Sequence, residues 1–306
     1  MGVRFRGWGI AVPDKVVTND DLSKTLDTSD EWIRERTGIR ERRIGGSAMT
    51  LGVAAAEKAM AASGVGPADI DFLVMATTTP DRLTPATAPM VATRLGLTCP
   101  AMDLNAACSG FMYAVRTAQG LLETGNRRIL VIGAENLSRW TDWNDRNMAV
   151  LLADGGGATV LEYDESGTDI LSFVLGADGA AADLLTCEHG GFIEMNGKEV
   201  FRRAVRVVVE SADEAMAKAG VTASDISLVV PHQANVRIIQ AATQRLGIDM
   251  DRAVVVLDRY GNTSSASIPL AMDDAIVNGR VRPGELALLT GFGAGMTWAS
   301  SVVRWS

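Results

Sequence analysis

Three side chains suited to covalent catalysis lie in turns that follow apolar, strand-like segments of the 306-residue chain. Cys108 stands among small residues where a strand gives way to a helix-like stretch, and such neighbours let the chain turn sharply. His232 follows the strand-like Leu228–Val230, and Asn262 lies in the turn after the apolar Ala253–Leu257. A cysteine thiolate is a strong nucleophile, and a nearby base completes its activation. We therefore predict that Cys108 is a nucleophile that acts with His232 and Asn262.

The start of a helix favours the thiolate form of Cys108, because the first N–H groups of a helix are unpaired and carry partial positive charge. That effect is worth roughly 0.3–1 kcal/mol, up to about 2 when partly buried, and one pKa unit is about 1.4 kcal/mol. We therefore expect the pKa of Cys108 to fall by about one unit from about 8.5. The alternative is a buried, inert cysteine, and we assign Cys99 and Cys187 to that class.

Each partner also has an ordinary structural interpretation. His232 could be a hydrogen-bonded core histidine, and Asn262 could be a turn former. Their joint position at equivalent strand ends favours a shared cleft, since sites in α/β proteins lie at the carboxyl ends of strands. The second histidine, His189, lies in a loop without a neighbouring strand, and we expect it at the surface.

The elements that would position these residues occur twice along the chain. The segments that begin at Asp69 and Asp225, 156 residues apart, align without gaps. In both halves a strand, a turn, a helix and a further strand follow in the same order. This order predicts a duplicated α/β protein with an N-terminal half, 1–163, and a C-terminal half, 164–306. Chance similarity between two α/β units is the alternative.

Composition limits the classes of protein to consider. With 47% apolar residues the chain can bury a large core, and its net charge of −8 opposes non-specific binding to nucleic acid. No apolar run of about 18 residues indicates a membrane span, and the first residues lack the apolar core of a signal peptide. Because there are three cysteines without a Cys-x-x-Cys pair and two histidines, we expect no structural zinc, no disulfide framework and a cytoplasmic location.

Three motifs together resemble the β-ketoacyl-ACP synthase III family, which has the thiolase fold. They are Ala107-Cys-Ser-Gly-Phe, Pro231-His-Gln-Ala-Asn and Gly261-Asn-Thr-Ser. The resemblance covers nearly the whole chain, from Ser29-Asp-Glu-Trp to Gly291-Phe-Gly-Ala-Gly. It implies an α/β, thiolase-like fold with duplicated βαβαβ-type halves in a layered α-β-α-β-α arrangement.

The resemblance implies a decarboxylative Claisen condensation of an acyl-CoA primer with malonyl-ACP, which initiates fatty-acid or related polyketide synthesis. Cys108 would carry the acyl group, and His232 and Asn262 would donate hydrogen bonds to the enolate that forms when malonyl-ACP loses CO₂. Backbone N–H groups near Cys108 and in Gly291–Gly295 would hold the oxyanion, with Gly293 beside the substrate. No cofactor or metal is implied beyond the two thioester substrates.

The resemblance also assigns residues that bind substrate. Trp32 and Arg146 would sandwich the CoA adenine, Arg36 would approach the CoA phosphates, and Asn235 would contact the bound substrate. Without the resemblance, the arginines around Arg36 would be interpreted as a solvated charged segment.

Docking of the acidic acyl carrier protein needs a basic patch on this acidic chain. The resemblance places the patch at Arg202, Arg237 and Arg245, and it implies a homodimer. Gln244 stands where a second basic residue is common, so we expect weaker or differently aimed docking.

Thr84 stands where the family often has a phenylalanine that crosses the dimer interface and closes the acyl pocket. A threonine leaves space, so we expect a medium, long or branched primer. The loop Leu184–Gly197 is shorter than usual, and Trp140 and Trp143 add bulk near the mouth of the cleft. These departures leave room for a role in making a secondary metabolite.

Three other functions are alternatives to the condensation, and the acyltransferase is the one that stays open. A degradative thiolase would need a second catalytic cysteine in the C-terminal Gly-rich segment, where Ala294 and Met296 stand instead. A family-like acyltransferase that esterifies a hydroxyl or an amine would keep Cys108 and His232 and need no malonyl donor. A non-enzymatic acyl-carrying or chain-length subunit fits less well, because all three catalytic residue types are present.

Overall fold

The computed structural model describes residues 2–306, which form both strands and helices. The strands are β1 (Gly2–Ala11), β2 (Val16–Thr18), β3 (Glu41–Arg43), β4 (Phe72–Ala76), β5 (Ala101–Leu104), β6 (Arg128–Asn136), β7 (Asp154–Asp164), β8 (Val174–Ala177), β9 (Leu185–Cys187), β10 (Ile193–Met195), β11 (Ile226–Pro231), β12 (Leu286–Gly293) and β13 (Thr297–Arg304). The helices are α1 (Asn19–Ser23), α2 (Asp30–Thr37), α3 (Ala48–Ser63), α4 (Thr87–Leu95), α5 (Gly110–Glu123), α6 (Arg146–Ala149), α7 (Gly197–Ala219), α8 (Val236–Leu246), α9 (Leu257–Tyr260) and α10 (Ser267–Val277).

Two central sheets have matching strand orders. In the first, β1-β7-β6-β4-β5, strand β4 runs parallel to β5 and β6, and the other pairs are antiparallel. In the second, β8-β13-β12-β11, strand β11 runs parallel to β12, and the other pairs are antiparallel. The duplication predicted from the sequence is therefore confirmed in the sheets. The boundary between residues 163 and 164 stays a prediction.

The predicted strand at Ala253–Leu257 is wrong. Its place corresponds to β5 of the first sheet, but only its first residue forms a bridge, to Val229 of β11. The buried Gln233 side chain satisfies the backbone instead: its Nε2 donates to the Val254 oxygen at 3.0 Å, and its Oε1 accepts from the Val256 nitrogen at 2.9 Å. Because the Gln233 amide bonds these backbone groups as an adjacent strand would, the segment needs no further strand pairing before α9 begins.

Helices cover both faces of each sheet, as the layered prediction requires. Helix α3 packs on the outer face of the first sheet, α5 and α10 lie between the sheets, and α7 packs on the outer face of the second with α8 beside it. Strand β4 is therefore buried on both of its faces. Val74 belongs to the core between the sheets, and its neighbour Leu73 belongs to the core under α3. A strand buried on both faces is apolar along its length, as β4 is.

The helices offer no candidate for a membrane span. Within residues 2–306, none is both long enough and apolar enough to cross a bilayer.

Candidate active site

Two loops with the same backbone pattern lead into the two central helices. In the first, Asn105 Oδ1 accepts from the Ala107 nitrogen at 3.1 Å, and Ala107 has a φ of 49°. In the second, Asn262 Oδ1 accepts from the Ser264 nitrogen at 2.9 Å, and Ser264 has a φ of 50°. A 3-10 turn follows in each loop before α5 or α10 begins. The predicted equivalence of the Cys108 and Asn262 loops is therefore confirmed.

The Cys108 loop is held from both sides. The hydroxyls of Ser109 and of Thr297, on β13, both donate to the Ala106 oxygen, at 2.8 and 2.9 Å. Strand β12 approaches so closely at Gly293 that a Cβ there would lie 2.5 Å from the Cys108 nitrogen. Gly293 is therefore next to the proposed nucleophile, and its lack of a side chain permits the contact.

Burial decides the protonation of Cys108. It raises the pKa of the thiol to about 12, the charge of Glu135 acts in the same direction, and a hydrogen bond from Ser264 opposes them. The expected net lowering of this pKa by the helix start is therefore wrong. A helix dipole is worth about one pKa unit, and desolvation of a buried thiolate outweighs it. At neutral pH the Cys108 side chain is therefore a thiol rather than a thiolate.

His232 follows β11, as predicted, and is 4% exposed. Its backbone nitrogen donates to the Thr290 oxygen at 2.8 Å, and its Nδ1 lies 2.6 Å from the Ser267 hydroxyl. Its ring packs edge-on against Phe292, with 5.4 Å between centroids. Burial lowers the pKa of His232 to about 3, so the imidazole is neutral at neutral pH and carries one N–H.

His232 and the nucleophile loop lie on either side of Gly291. A Cβ placed on Gly291 would be 3.5 Å from the Cβ of His232 and 3.9 Å from the Cα of Ser109. The ring borders a small cavity of about 20 Å³ with Phe292, whereas Cys108 borders the larger cavity described next.

A cavity of about 130 Å³ opens over Cys108 and is mostly apolar. Asn262 borders it, and its Oδ1 already has a partner, while its Nδ2 has none among residues 2–306 and is free to donate. The apolar wall includes Leu137, Trp140, Met148, Leu152, Leu185 and Ile193. No group of three His, Cys, Asp or Glu side chains in the described part of the chain is arranged to hold a metal ion.

Several predicted neighbours of the cavity differ from expectation. The assignment of Cys187 as a buried cysteine is wrong: it is exposed on β9 and borders the same cavity as Cys108. Trp143 borders a different surface cleft, and Thr84 is exposed and outside the cavity wall of this single chain. His189 is exposed, as expected.

A second cavity, of about 380 Å³, adjoins the first, since Leu151 and Met195 border both. It brings together three predicted binding residues, Trp32, Arg36 and Asn235. Asn235 also caps α8, because its Oδ1 accepts from the Arg237 nitrogen at 2.9 Å. Lys198 and Arg237 add positive charge to this wall, and sequence reasoning missed Lys198.

Trp32 and Arg146 are in direct contact. The guanidinium carbon of Arg146 lies 4.7 Å from the centre of the Trp32 ring, and that of Arg36 lies 4.3 Å away. A base held between Trp32 and Arg146 needs a gap of roughly 7 Å, which is two van der Waals contacts. An adenine between them would therefore have to move Arg146, which now binds the Asp27 oxygen at 2.6 Å.

The three arginines predicted to dock the carrier protein lie on two packed helices. Arg202 is on α7 with 65% of its side chain exposed, and it pairs with Glu199 at 2.8 Å. Arg237 is the second residue of α8 and lies over the Phe201 ring, and Arg245 is exposed in the last turn of α8. A further exposed arginine that sequence reasoning missed, Arg206, follows one turn after Arg202.

Comparison with known proteins assigns the chain to a family. Residues 102–179 match the family model described as 3-Oxoacyl-[acyl-carrier-protein (ACP)] synthase III, and residues 216–305 match the model of its C-terminal part. The chain belongs to the 3-oxoacyl-ACP synthase III family. "3-Oxoacyl" and "β-ketoacyl" name the same group, so the predicted family is confirmed, and the protein is an enzyme of the condensing type.

Relatives of this synthase III chain match it over nearly its whole length. The β-ketoacyl-ACP synthase III of Erythrobacter litoralis is 50% identical and that of Roseiflexus castenholzii 46%, each aligned over 98% of this chain and 98% and 97% of its own. The crystal structure of 3-oxoacyl-ACP synthase III from Aquifex aeolicus is 43% identical with a TM-score of 0.97, covering 99% of this chain and all of that one. The priming β-ketosynthase of the R1128 polyketide pathway is 37% identical, with a TM-score of 0.94 and coverage of 99% and 96%. The thiolase-like fold is therefore confirmed.

Proposed function

We propose that this synthase III condenses an acyl-CoA primer with malonyl-ACP and releases CO₂, which yields a β-ketoacyl-ACP at the start of fatty-acid or polyketide synthesis. The observation that carries the proposal is the pair of equivalent loops, which present Cys108 and Asn262 to one apolar cavity with the neutral His232 behind them. The fit of this chain to named synthase III proteins over nearly its full length supports it.

In the first half-reaction Cys108 attacks the thioester carbonyl of the primer. The new bond between the acyl carbon and the Cys108 sulfur forms as the bond between the acyl carbon and the CoA sulfur breaks, and the thiol proton leaves on the CoA sulfur. Backbone N–H groups near Cys108 and in Gly291–Gly295 stabilise the oxyanion during attack. The apolar wall of the cavity excludes water from the acyl-cysteine, which protects it from hydrolysis.

In the second half-reaction malonyl-ACP loses CO₂, and the electron pair of the broken bond forms an enolate. The Asn262 Nδ2 and the single N–H of His232 are the two donors for the enolate oxygen. The enolate carbon then attacks the acyl carbonyl, and the Cys108 sulfur leaves and takes up a proton.

The adjoining cavity is the route for the CoA or pantetheine arm. Its basic wall, with Arg36, Lys198 and Arg237, suits phosphate groups, and its border with the Cys108 cavity at Leu151 and Met195 connects the two sites. The arginines on α7 and α8 provide the docking surface for the acidic carrier protein. We carry over a homodimer and a cytoplasmic location from the family, and no cofactor is required.

The alternative is an acyltransferase that moves the acyl group to a hydroxyl or an amine. Malonyl-dependent CO₂ release separates the two functions. With purified protein, an acyl-CoA panel and labelled malonyl-ACP, we expect one CO₂ for each β-ketoacyl-ACP formed, and no CO₂ from Cys108→Ser. Acylation of Cys108 without CO₂ release, together with transfer to an alcohol or an amine, would favour the acyltransferase.

A further inference from the structure

The hydroxyl of Ser267 lies against the ring of His232. The two side chains are 1% and 4% exposed, and the Ser267 Oγ is 2.6 Å from the His232 Nδ1. Ser267 is the first residue of α10, five positions after Asn262, so the same loop supplies one proposed donor and the contact to the other. No water is needed to bridge atoms at this distance.

The other partner of Ser267 decides which atom donates. The Gln233 backbone nitrogen donates to the Ser267 Oγ at 3.2 Å, and Gln233 is itself fixed by its side-chain bonds to the backbone of Val254 and Val256. In the part of the chain that the structure describes, 2–306, the Ser267 hydroxyl has no third partner. A hydroxyl carries one proton and accepts on its lone pairs. The Gln233 nitrogen occupies one lone pair of the oxygen and cannot accept, so the hydroxyl proton has one acceptor within reach, the His232 Nδ1.

We propose that Ser267 is a positioning residue that donates to the His232 Nδ1 and so fixes the ring proton on Nε2. A neutral imidazole has one N–H, and the hydrogen bond at one nitrogen selects which nitrogen carries it. The reverse arrangement, with the proton on Nδ1, would present a lone pair at Nε2. A lone pair repels an enolate oxygen, whereas an N–H stabilises it.

This inference rests on the proposed function for its catalytic consequence but not for its structural content. Ser267 thereby makes His232 a hydrogen-bond donor throughout the cycle and removes it from the role of base toward the Cys108 thiol. The Gln233 side chain contributes to this arrangement. Its bonds to Val254 and Val256 fix the Gln233 backbone, and the Gln233 backbone nitrogen donates to the Ser267 oxygen.

The chain offers a direct test, because it contains two histidines. In protein labelled with ¹⁵N-histidine, long-range ¹H–¹⁵N correlations identify the protonated nitrogen of each neutral ring. We expect His232 to be a single Nε2–H form at neutral pH, and the exposed His189 supplies the only other set of imidazole signals for comparison. A wild-type spectrum with His232 protonated on Nδ1 would overturn the proposal, and that measurement needs no variant and no substrate.

Variants add the functional readout. Ser267→Ala is expected to give a mixture of His232 tautomers and to lower kcat for malonyl-dependent CO₂ release roughly ten- to a hundred-fold, with acylation of Cys108 unchanged. Ser267→Thr, which keeps the hydroxyl, should restore both. Ser301→Ala removes another buried serine hydroxyl, which donates to the Ser172 oxygen at 2.7 Å, and should leave both readouts unchanged.

A single Nε2–H form in Ser267→Ala with full kcat would contradict the assignment. Loss of CO₂ release in all proteins, with the expected wild-type spectrum, would instead contradict the proposed function.

Discussion

Gly293 and Cys108 approach each other so closely that the nucleophile loop leaves no room for a side chain on β12. An added Cβ at Gly293 would stand 2.5 Å from the Cys108 nitrogen, 2.9 Å from the Ala107 Cβ and 3.1 Å from the Ser109 nitrogen. Two of these three atoms are backbone, which cannot rotate away. The φ of Gly293 is −156°, so the backbone conformation itself suits any residue. Contact with the Cys108 loop, rather than backbone strain, is therefore what requires glycine here.

Gly293→Ala is expected to push the Cys108 loop out of place. We expect acylation of Cys108 to slow at least ten-fold and the free energy of unfolding to fall by about 1–3 kcal/mol, the usual effect of overpacking. Single-turnover acylation followed by intact-protein mass spectrometry, with denaturant unfolding, measures both. Gly120→Ala, at a helix position with open space around it, is the control and should change neither for the worse. Equal behaviour of the two variants would contradict the role of this contact.

The two proposed donors for the enolate, His232 and Asn262, can be tested separately from the proposed nucleophile, Cys108. His232→Ala and Asn262→Ala each remove one donor, so each is expected to lower malonyl decarboxylation about a hundred- to a thousand-fold. Acylation of Cys108 should persist in both variants, because these donors act in the second half-reaction. Product CO₂ and acyl-enzyme mass are measured on the same samples, with His189→Ala as the histidine control. Wild-type decarboxylation in either variant would show that its residue is not a donor.

The local sequence predicts the turns that carry Cys108 and Asn262, because short motifs and turn chemistry determine them. It does not predict their protonation. The burial that keeps Cys108 a thiol and His232 neutral comes from β12, α10 and other segments far away in the chain. The exposure of Cys187 depends on how the β9–β10 hairpin folds over the cavity. The missing strand at Ala253–Leu257 depends on the Gln233 side chain, which no strand propensity describes.

Burial of the His232 ring also predicts a dependence of stability on pH. Its pKa is about 3 in the folded chain and about 6.5 when unfolded, so below pH 6.5 the unfolded chain alone takes up the proton. The stabilisation is complete above pH 6.5 and is lost as the pH falls toward 3, at about 1.4 kcal/mol per pH unit. Relative to that of His232→Gln, the free energy of unfolding of the wild type should therefore fall by about 2–3 kcal/mol between pH 7 and pH 4.5.

Urea unfolding at several pH values measures the free energy of unfolding of wild type and of His232→Gln. Subtracting one from the other cancels the contribution of every group that titrates alike in both proteins. His189→Gln, at an exposed loop position, is the control for replacing the other histidine of the chain. Parallel stability curves for wild type and His232→Gln would mean that the ring takes up its proton equally in the folded and unfolded chains, which would contradict the lowered pKa.

Carrier-protein docking is expected to depend on the exposed arginines of α7 and α8. Replacing Arg202, Arg237 and Arg245 by glutamine should raise KM for malonyl-ACP about ten-fold or more with little change in kcat, and the effect should shrink at high salt. The double variant of Arg202 and Arg245 isolates docking, because neither residue borders the cavity proposed for CoA. Lys218→Gln is the control, since it lies on the same helix 16 residues from Arg202, about 24 Å away. An unchanged KM would refute the patch.

In a single chain, the cavity proposed to hold the primer is bounded by Trp140 rather than by Thr84. Trp140 borders the cavity over Cys108, whereas Thr84 is exposed and could reach an acyl chain only in a partner subunit. Trp140→Ala should enlarge the cavity and raise the ratio of long-chain to short-chain acylation about ten-fold or more, since each added methylene that finds space is worth roughly 1 kcal/mol. Rates of acyl-enzyme formation across an acyl-CoA series give this ratio. Trp143→Ala removes the same side chain from a different cleft and should leave the ratio unchanged.

Thr84→Phe tests separately whether a partner subunit contributes to the pocket. A loss of long primers would place position 84 in a pocket shared across a dimer, and an unchanged series would leave Trp140 as the limit on chain length.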